Sequence, residues 1–272
     1  MTSFAEATAV QRVDAGRYAA AIHADFVLPN TRRAHGGYLL AILMRAALAE
    51  SPHAQPVATT AHFVRPGVEG PAEILLTPHP AGRTIAATRA ALVQGGRTLV
   101  DATVTTAALS RSDTPEWSVE PPGMPAAEEC PPFARDHPLG PGRSFLQHLE
   151  TRFDPDSIRF ALGEPGKIPE IRHYFKLTED YDPDSLMIAL GVDAKPPVTL
   201  AIGLLNPITT IELTLYLRAV PAPGWLAMRS TARMIGNGWA DEDVDVWDST
   251  GRLVAQSRQL MRIVDPRPPG AP

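Results

Sequence analysis

The sequence predicts an α+β protein built from two tandem units, each a helix followed by an antiparallel sheet curved around it. Three observations predict it. Residues 36–50 form a run that a helix would present as apolar on almost every side. Strand-like segments punctuated by Gly and Pro turns follow that run. The same order then returns with echoing residues, Thr59 matched by Thr209 and Gly96 by Gly251, an offset of 150 to 155 positions.

Each element has its own signal. Residues 17–28 read as a strand or a strand pair. In the helix, Leu39, Leu40, Ile42, Leu43, Met44, Ala46, Ala47 and Leu48 leave almost no polar face, so it is buried on most sides, as when a sheet wraps it. Strands are expected over 56–65, 72–77, 84–94 and 98–109, with Pro66-Gly67, Ala81-Gly82 and Gly95-Gly96 at the turns between them. In the second half a strand is expected over 168–177, a short apolar helix over 183–193, and strands over 208–218, 225–235, 242–248 and 253–264. Gly96-Arg97-Thr98-Leu99-Val100 is echoed by Gly251-Arg252-Leu253-Val254.

Composition narrows the function classes. Among 272 residues, 44% are hydrophobic and 20% charged, as in a globular protein. Lys plus Arg number 25 against 30 Asp plus Glu, a net charge of −5, which argues against nucleic acid or anionic lipid as the main partner. One cysteine, Cys130, excludes an intramolecular disulfide and a cysteine-based zinc cluster. The first residues lack the pattern of a secretory signal, and no apolar stretch approaches the ~20 residues of a membrane span, so a cytoplasmic location is expected. Proline is abundant, at 28 residues, and Pro115, Pro121, Pro122, Pro125, Pro131, Pro132, Pro138 and Pro141 crowd one stretch. Each removes a backbone donor and restricts its predecessor, so residues 112–143 read as a linker between a first unit over 1–111 and a second over 144–265. A Pro-rich tail occupies 266–272.

Several common chemistries find no motif. Gly163-Glu164-Pro165-Gly166-Lys167 lacks the spacing and the Ser or Thr of a phosphate loop, and no dinucleotide glycine fingerprint follows a strand. Eight histidines show no metal-ligand spacing, so neither a metal nor another cofactor is expected. His35-Gly36-Gly37 faintly resembles a hydrolase oxyanion loop, but no Gly-x-Ser-x-Gly elbow accompanies it. A hydrolase without a serine or cysteine nucleophile would use water.

A helix wrapped by a bent antiparallel sheet, duplicated in one chain, is the pattern of a double hotdog. The run Gly36-Gly37-Tyr38-Leu39-Leu40-Ala41, the strand Ala61-His62-Phe63-Val64-Arg65-Pro66-Gly67 and the ending Leu253-Val254-Ala255-Gln256-Ser257-Arg258-Gln259 resemble acyl-CoA thioesterase II-type proteins. The resemblance spans the chain except the linker and tail, and rests on the order of short motifs. It implies hydrolysis of an acyl-CoA-like thioester by a water that an aspartate, a threonine and a glutamine position and activate. By motif position these are Asp193, Thr210 and Gln259. It also implies association into a homodimer or higher homo-oligomer.

Asp193 ends the apolar run Leu186 to Val192. It would be either a solvated helix end or a desolvated carboxylate suited to act as a base. Alternation along the last strand places Ala255, Ser257, Gln259 and Met261 on the helix-facing side and Gln256 and Arg258 on the other, which favours Gln259 over Gln256. Strict alternation in 208–218 groups Thr209, not Thr210, with Ile211 and Leu213. A bulge at the strand start would reconcile Thr210 with the motif, and Thr209 stays the alternative. Gly36, Gly37 and Tyr38 open the first helix and are the substrate-binding candidates, because first-turn amides suit the oxygen of a thioester carbonyl; the glycines would also permit close packing. The first helix has no carboxylate between Gly36 and Ala49 and the second has no glycine pair at its start, which predicts one composite site per chain. Two rivals stand beside hydrolysis. One is an acyl-CoA-binding protein without catalysis. The other is a hotdog enoyl-CoA hydratase, whose chemistry uses an aspartate with a histidine five residues on, where this chain has Val198 after Asp193.

Overall fold

The long helix α1 spans Gly36–Glu50, as its apolar run predicts. His35 caps it in extended conformation and Ser51 ends it. Tyr38 through Met44, with Ala46 and Ala47, are buried on all sides of the helix. In this computed structural model, which describes residues 2–28, 30–80, 82–112, 114–133 and 143–264, that burial comes from a sheet in front and a second helix behind.

The first half contributes β1 (Val10–Asp14), β2 (Arg17–Ile22), β3 (Gln55–Phe63), β4 (Gly70–Pro78), β5 (Ile85–Gln94) and β6 (Arg97–Ala107). The second contributes β7 (Leu149–Phe153), β8 (Glu170–Leu177), the helix α2 (Ser185–Gly191), β9 (Ile208–Leu217), β10 (Leu226–Thr231), β11 (Trp239–Trp247) and β12 (Leu253–Ile263). Among the described residues all twelve strands join one antiparallel sheet in the order β1-β2-β4-β5-β6-β3-β9-β12-β11-β10-β8-β7, with the two-residue strand Ile235–Gly236 beside β11. The order reads alike from either end, which is the duplication expressed as topology. The halves join edge to edge where β9 pairs with β3, from Glu212 opposite His62 to Tyr216 opposite Ala58.

Alternation decides what each strand offers the interior. On β12, Ala255, Ser257, Gln259 and Met261 are buried while Arg258, Leu260 and Arg262 are exposed. On β8, Ile171, His173, Phe175 and Leu177 are buried. The α2 helix is shorter than the apolar run suggests. Asp184 starts it by accepting from the amides of Leu186 and Met187, and it ends at Gly191, which packs against Phe175 and Met228. The strand expected over 225–235 breaks after Thr231. Two strands without a sequence expectation, β1 and β7, lie at the two ends of the sheet, where one-sided pairing demands less apolar patterning.

Much of the Pro-rich stretch packs against the second half. Cys130 and Phe133 are buried, Pro132 bridges Arg152, and the carbonyl of Val119 accepts from the Trp247 indole at 3.3 Å. The rest of that stretch, 134–142, and the tail 266–272 lie outside the described residues. No described helix is long and apolar enough to cross a membrane.

Candidate active site

The start of α1 and the end of α2 touch. A Cβ built on Gly37 would lie 2.6 Å from the carbonyl oxygen of Ala189 and 2.9 Å from that of Leu190, so only glycine permits this approach. Asp193 follows α2 and its amide donates to the Leu190 carbonyl, which carries the carboxylate to the N-terminal end of α1. There the Gly37 N–H donates to Asp193 Oδ2 at 2.7 Å. A carboxylate at a helix N-terminus meets the positive end of the helix dipole and an amide with no intrahelical partner. Gly36 stands equally close: a Cβ there would lie 2.8 Å from Asp193 Oδ2 and 3.1 Å from the Phe63 ring.

The other carboxylate oxygen faces the sheet. Thr210 Oγ1 lies 3.3 Å from Asp193 Oδ1 and 3.2 Å from Gln259 Oε1. Thr210 reaches this position through a bulge. The β9–β12 register runs Thr210 opposite Met261 and then Glu212 opposite Leu260, leaving Ile211 unmatched. Thr209, before the bulge, is exposed. Asp193, Thr210 and Gln259 thus converge, although 17 residues separate the first pair and 49 the second.

Behind Gln259 lies a buried charged pair. Gln259 Nε2 donates to Glu242 Oε1 at 2.5 Å, Lys195 Nζ donates to the same oxygen, and the Val198 amide donates to Oε2 at 2.7 Å. The side chains of Lys195 and Glu242 are 1% and 0% exposed, so this carboxylate is served entirely by protein donors.

His35 is a neighbour that residue patterns did not single out as a site residue. Its Nε2 lies 3.5 Å from Asp193 Oδ2, and its ring stacks on Phe145 at 4.5 Å. Burial holds the imidazole below its usual pKa, against the pull of Asp193. The arrangement keeps a neutral ring beside the carboxylate. Tyr38 does not join the cluster through its side chain. Its hydroxyl donates to the Ala7 carbonyl at 2.7 Å and accepts from the His23 amide, and its ring stacks on Phe26. Gln256, on the other face of β12, instead accepts from Arg218 and donates to Asp245.

The start of one helix set against the end of another beside one continuous antiparallel sheet, with a polar cluster drawn from both halves, defines a double-hotdog protein. The chain belongs to the acyl-CoA thioesterase family: the N-terminal domain of that family matches residues 27–107 and the C-terminal domain residues 127–263. An uncharacterized protein of Mycobacterium tuberculosis is 32% identical over 253 residues, covering 85% of this chain and 86% of the relative. The crystal structure of a protein assigned as a thioesterase II from Thermobifida fusca superposes with a TM-score of 0.90 at 38% identity, over 97% of this chain and 98% of that one. A hotdog-fold protein of unknown function from Alicyclobacillus acidocaldarius shares the fold at a TM-score of 0.83 and 22% identity, over 98% of this chain and 100% of that one.

Proposed function

We propose that the chain hydrolyses an acyl-CoA-like thioester to a carboxylic acid and a free thiol, with a water molecule as nucleophile. One observation carries this reading. Three oxygens converge, Asp193 Oδ1, Thr210 Oγ1 and Gln259 Oε1, and the threonine hydroxyl holds the one proton among them. A corner so rich in acceptors is complementary to a proton donor, and water is the donor that hydrolysis must deprotonate. Asp193 takes the proton through Oδ1 while Gly37 holds Oδ2 in place. Thr210 and Gln259 orient the water's remaining hydrogen and lone pairs. Because the Gly37 amide is engaged with Asp193, the first-turn amides of Gly36 and Tyr38 polarise the thioester oxygen as it gains charge. The attacking group then comes mainly from the second half and the polarising group from the first, which supports one site per chain. The sheet ends at β1 and β7, and these edges support association into a homo-oligomer.

Release of free thiol, followed with a chromogenic thiol reagent across acyl-CoA chain lengths, tests the proposal. Turnover that disappears in Asp193→Asn supports it. Acyl-CoA binding without release at any chain length would make the protein a carrier instead.

A further inference from the structure

Gln259 has two ends of opposite character, and its environment should favour the wrong one. An amide NH2 facing Thr210 Oγ1 would leave the hydroxyl proton to the Asp193 carboxylate, a charge-assisted hydrogen bond, whereas an amide oxygen turned that way competes with Asp193 for that one proton. The side chain is nonetheless turned so that Oε1 faces Thr210. The cause lies behind it. Glu242 Oε1 receives both the Gln259 NH2 and the Lys195 ammonium, and Oε2 receives the Val198 amide. A carboxylate engaged by an ammonium and an amide N–H offers acceptors only, so the group facing it must be the NH2. On β11, Ala240, Glu242, Val244 and Val246 share the buried face, so a charged residue here carries a desolvation cost that packing alone would not call for.

We propose that Glu242, held by Lys195, is a positioning residue that fixes the amide orientation of Gln259 and so keeps the water site rich in acceptors. The role rests on the hydrolytic reading above, because an acceptor-rich corner matters only if a water must be held and deprotonated there. With Glu242 replaced by glutamine, the new amide can donate as well as accept. Gln259 then turns its NH2 toward Thr210, whose hydroxyl proton goes to Asp193 Oδ1, occupying the oxygen that would take the proton and withdrawing an acceptor from the water.

The test uses K195M/E242Q, which removes the orphaned ammonium together with the charge and keeps both side-chain shapes. The expected result is a folded protein whose kcat falls at least about 10-fold with KM within about twofold of the parent, less than the 10²–10⁴-fold of losing the base itself because Glu242 acts only through Gln259. In a Gln259→Ala background the same pair should cost no further kcat, because Glu242 acts through that side chain; a merely structural role would give additive losses. Selective ¹⁵N-glutamine labelling supplies a readout independent of turnover. The Gln259 side-chain amide, assigned by its loss in Gln259→Ala, should shift and exchange faster in K195M/E242Q. An unmoved resonance, parental kcat in the folded variant, or additive losses would each overturn the inference. If the parent releases no thiol from any acyl-CoA, the hydrolytic reading fails and the amide resonance still decides the orientation.

Discussion

The Gly37 amide donates to Asp193 Oδ2 at 2.7 Å across 156 residues of sequence. One carboxylate oxygen is thereby pinned to the first half of the molecule while the other faces Thr210 of the second, whose hydroxyl also meets Gln259. The candidate base is held from both sides.

Asp193→Asn keeps the shape and most of the hydrogen bonds but cannot take a proton at neutral pH. Its kcat for the best acyl-CoA should fall 10²–10⁴-fold, about 3 to 5 kcal/mol of barrier. Gln259→Ala should lose less, and Gln256→Ala, whose side chain bonds Arg218 and Asp245 away from the cluster, should retain nearly full activity. Parental turnover by a folded Asp193→Asn protein would refute the assignment of the base.

The bulge at Ile211 makes a sharp distinction between adjacent threonines. Thr210→Ala should lower kcat by about 10-fold or more, the scale of a lost hydrogen bond to a charged group. Thr210→Ser should recover most of that activity, and Thr209→Ala should behave as the parent. Steady-state kinetics on the three variants decides between the two positions.

The neighbouring glycines should fail differently. Alanine at position 37 would drive its Cβ into two carbonyl oxygens of α2, a clash that flexible side chains cannot relieve. Gly37→Ala should therefore lose about 1–3 kcal/mol of stability or more, visible as a drop in the urea midpoint. Alanine at position 36 meets the Asp193 carboxylate and the Phe63 ring, both side chains. Gly36→Ala should stay folded and lose activity by displacing the carboxylate. Equal loss of stability in both variants would contradict this division.

His173 should make the fold acid-sensitive. Its ring is buried against Phe153 with both nitrogens lacking hydrogen-bond partners among the described residues, and burial pushes its pKa from 6.5 down to about 3. Between those values the unfolded chain binds a proton that the folded chain refuses. The contribution is whole above pH 6.5 and lost as the pH falls toward 3, at roughly 1.4 kcal/mol per pH unit. Comparing unfolding free energies at pH 7 and pH 5, the parent should lose about 2 kcal/mol more than His173→Leu. An identical pH dependence in the two proteins would refute it.

The sequence carried the site unevenly, for physical reasons. The helix α1 is legible from end to end because every turn of it is apolar, whereas the extent of α2 is not, because the apolar run continues past its last helical residue, Gly191. Gln259 was legible because strand alternation has a fixed period of two, and the same rule places Glu242 among Ala240, Val244 and Val246. Thr210 was legible only through its motif, since the bulge breaks the alternation that would otherwise exclude it. Lys195 sits in a loop before Pro196 and Pro197, where no periodicity says which way a side chain points. His35 precedes the glycine pair and gains its meaning from an aspartate in the other half, a proximity created entirely by tertiary packing.

The meeting of β3 with β9 has a consequence for how such a site can be assembled at all. Were the first half made separately, β3 would be a raw edge, and pairing with its own copy would bring together two glycine-started helices without Asp193, which the second half supplies. Self-pairing of the second half through β9 would supply two aspartates and no glycine pair to receive them. Neither symmetric particle rebuilds the cluster. Joining the halves in one polypeptide acts as a stoichiometry lock: the unlike pairing is guaranteed at one to one, at an effective concentration that dilution in the cell cannot change.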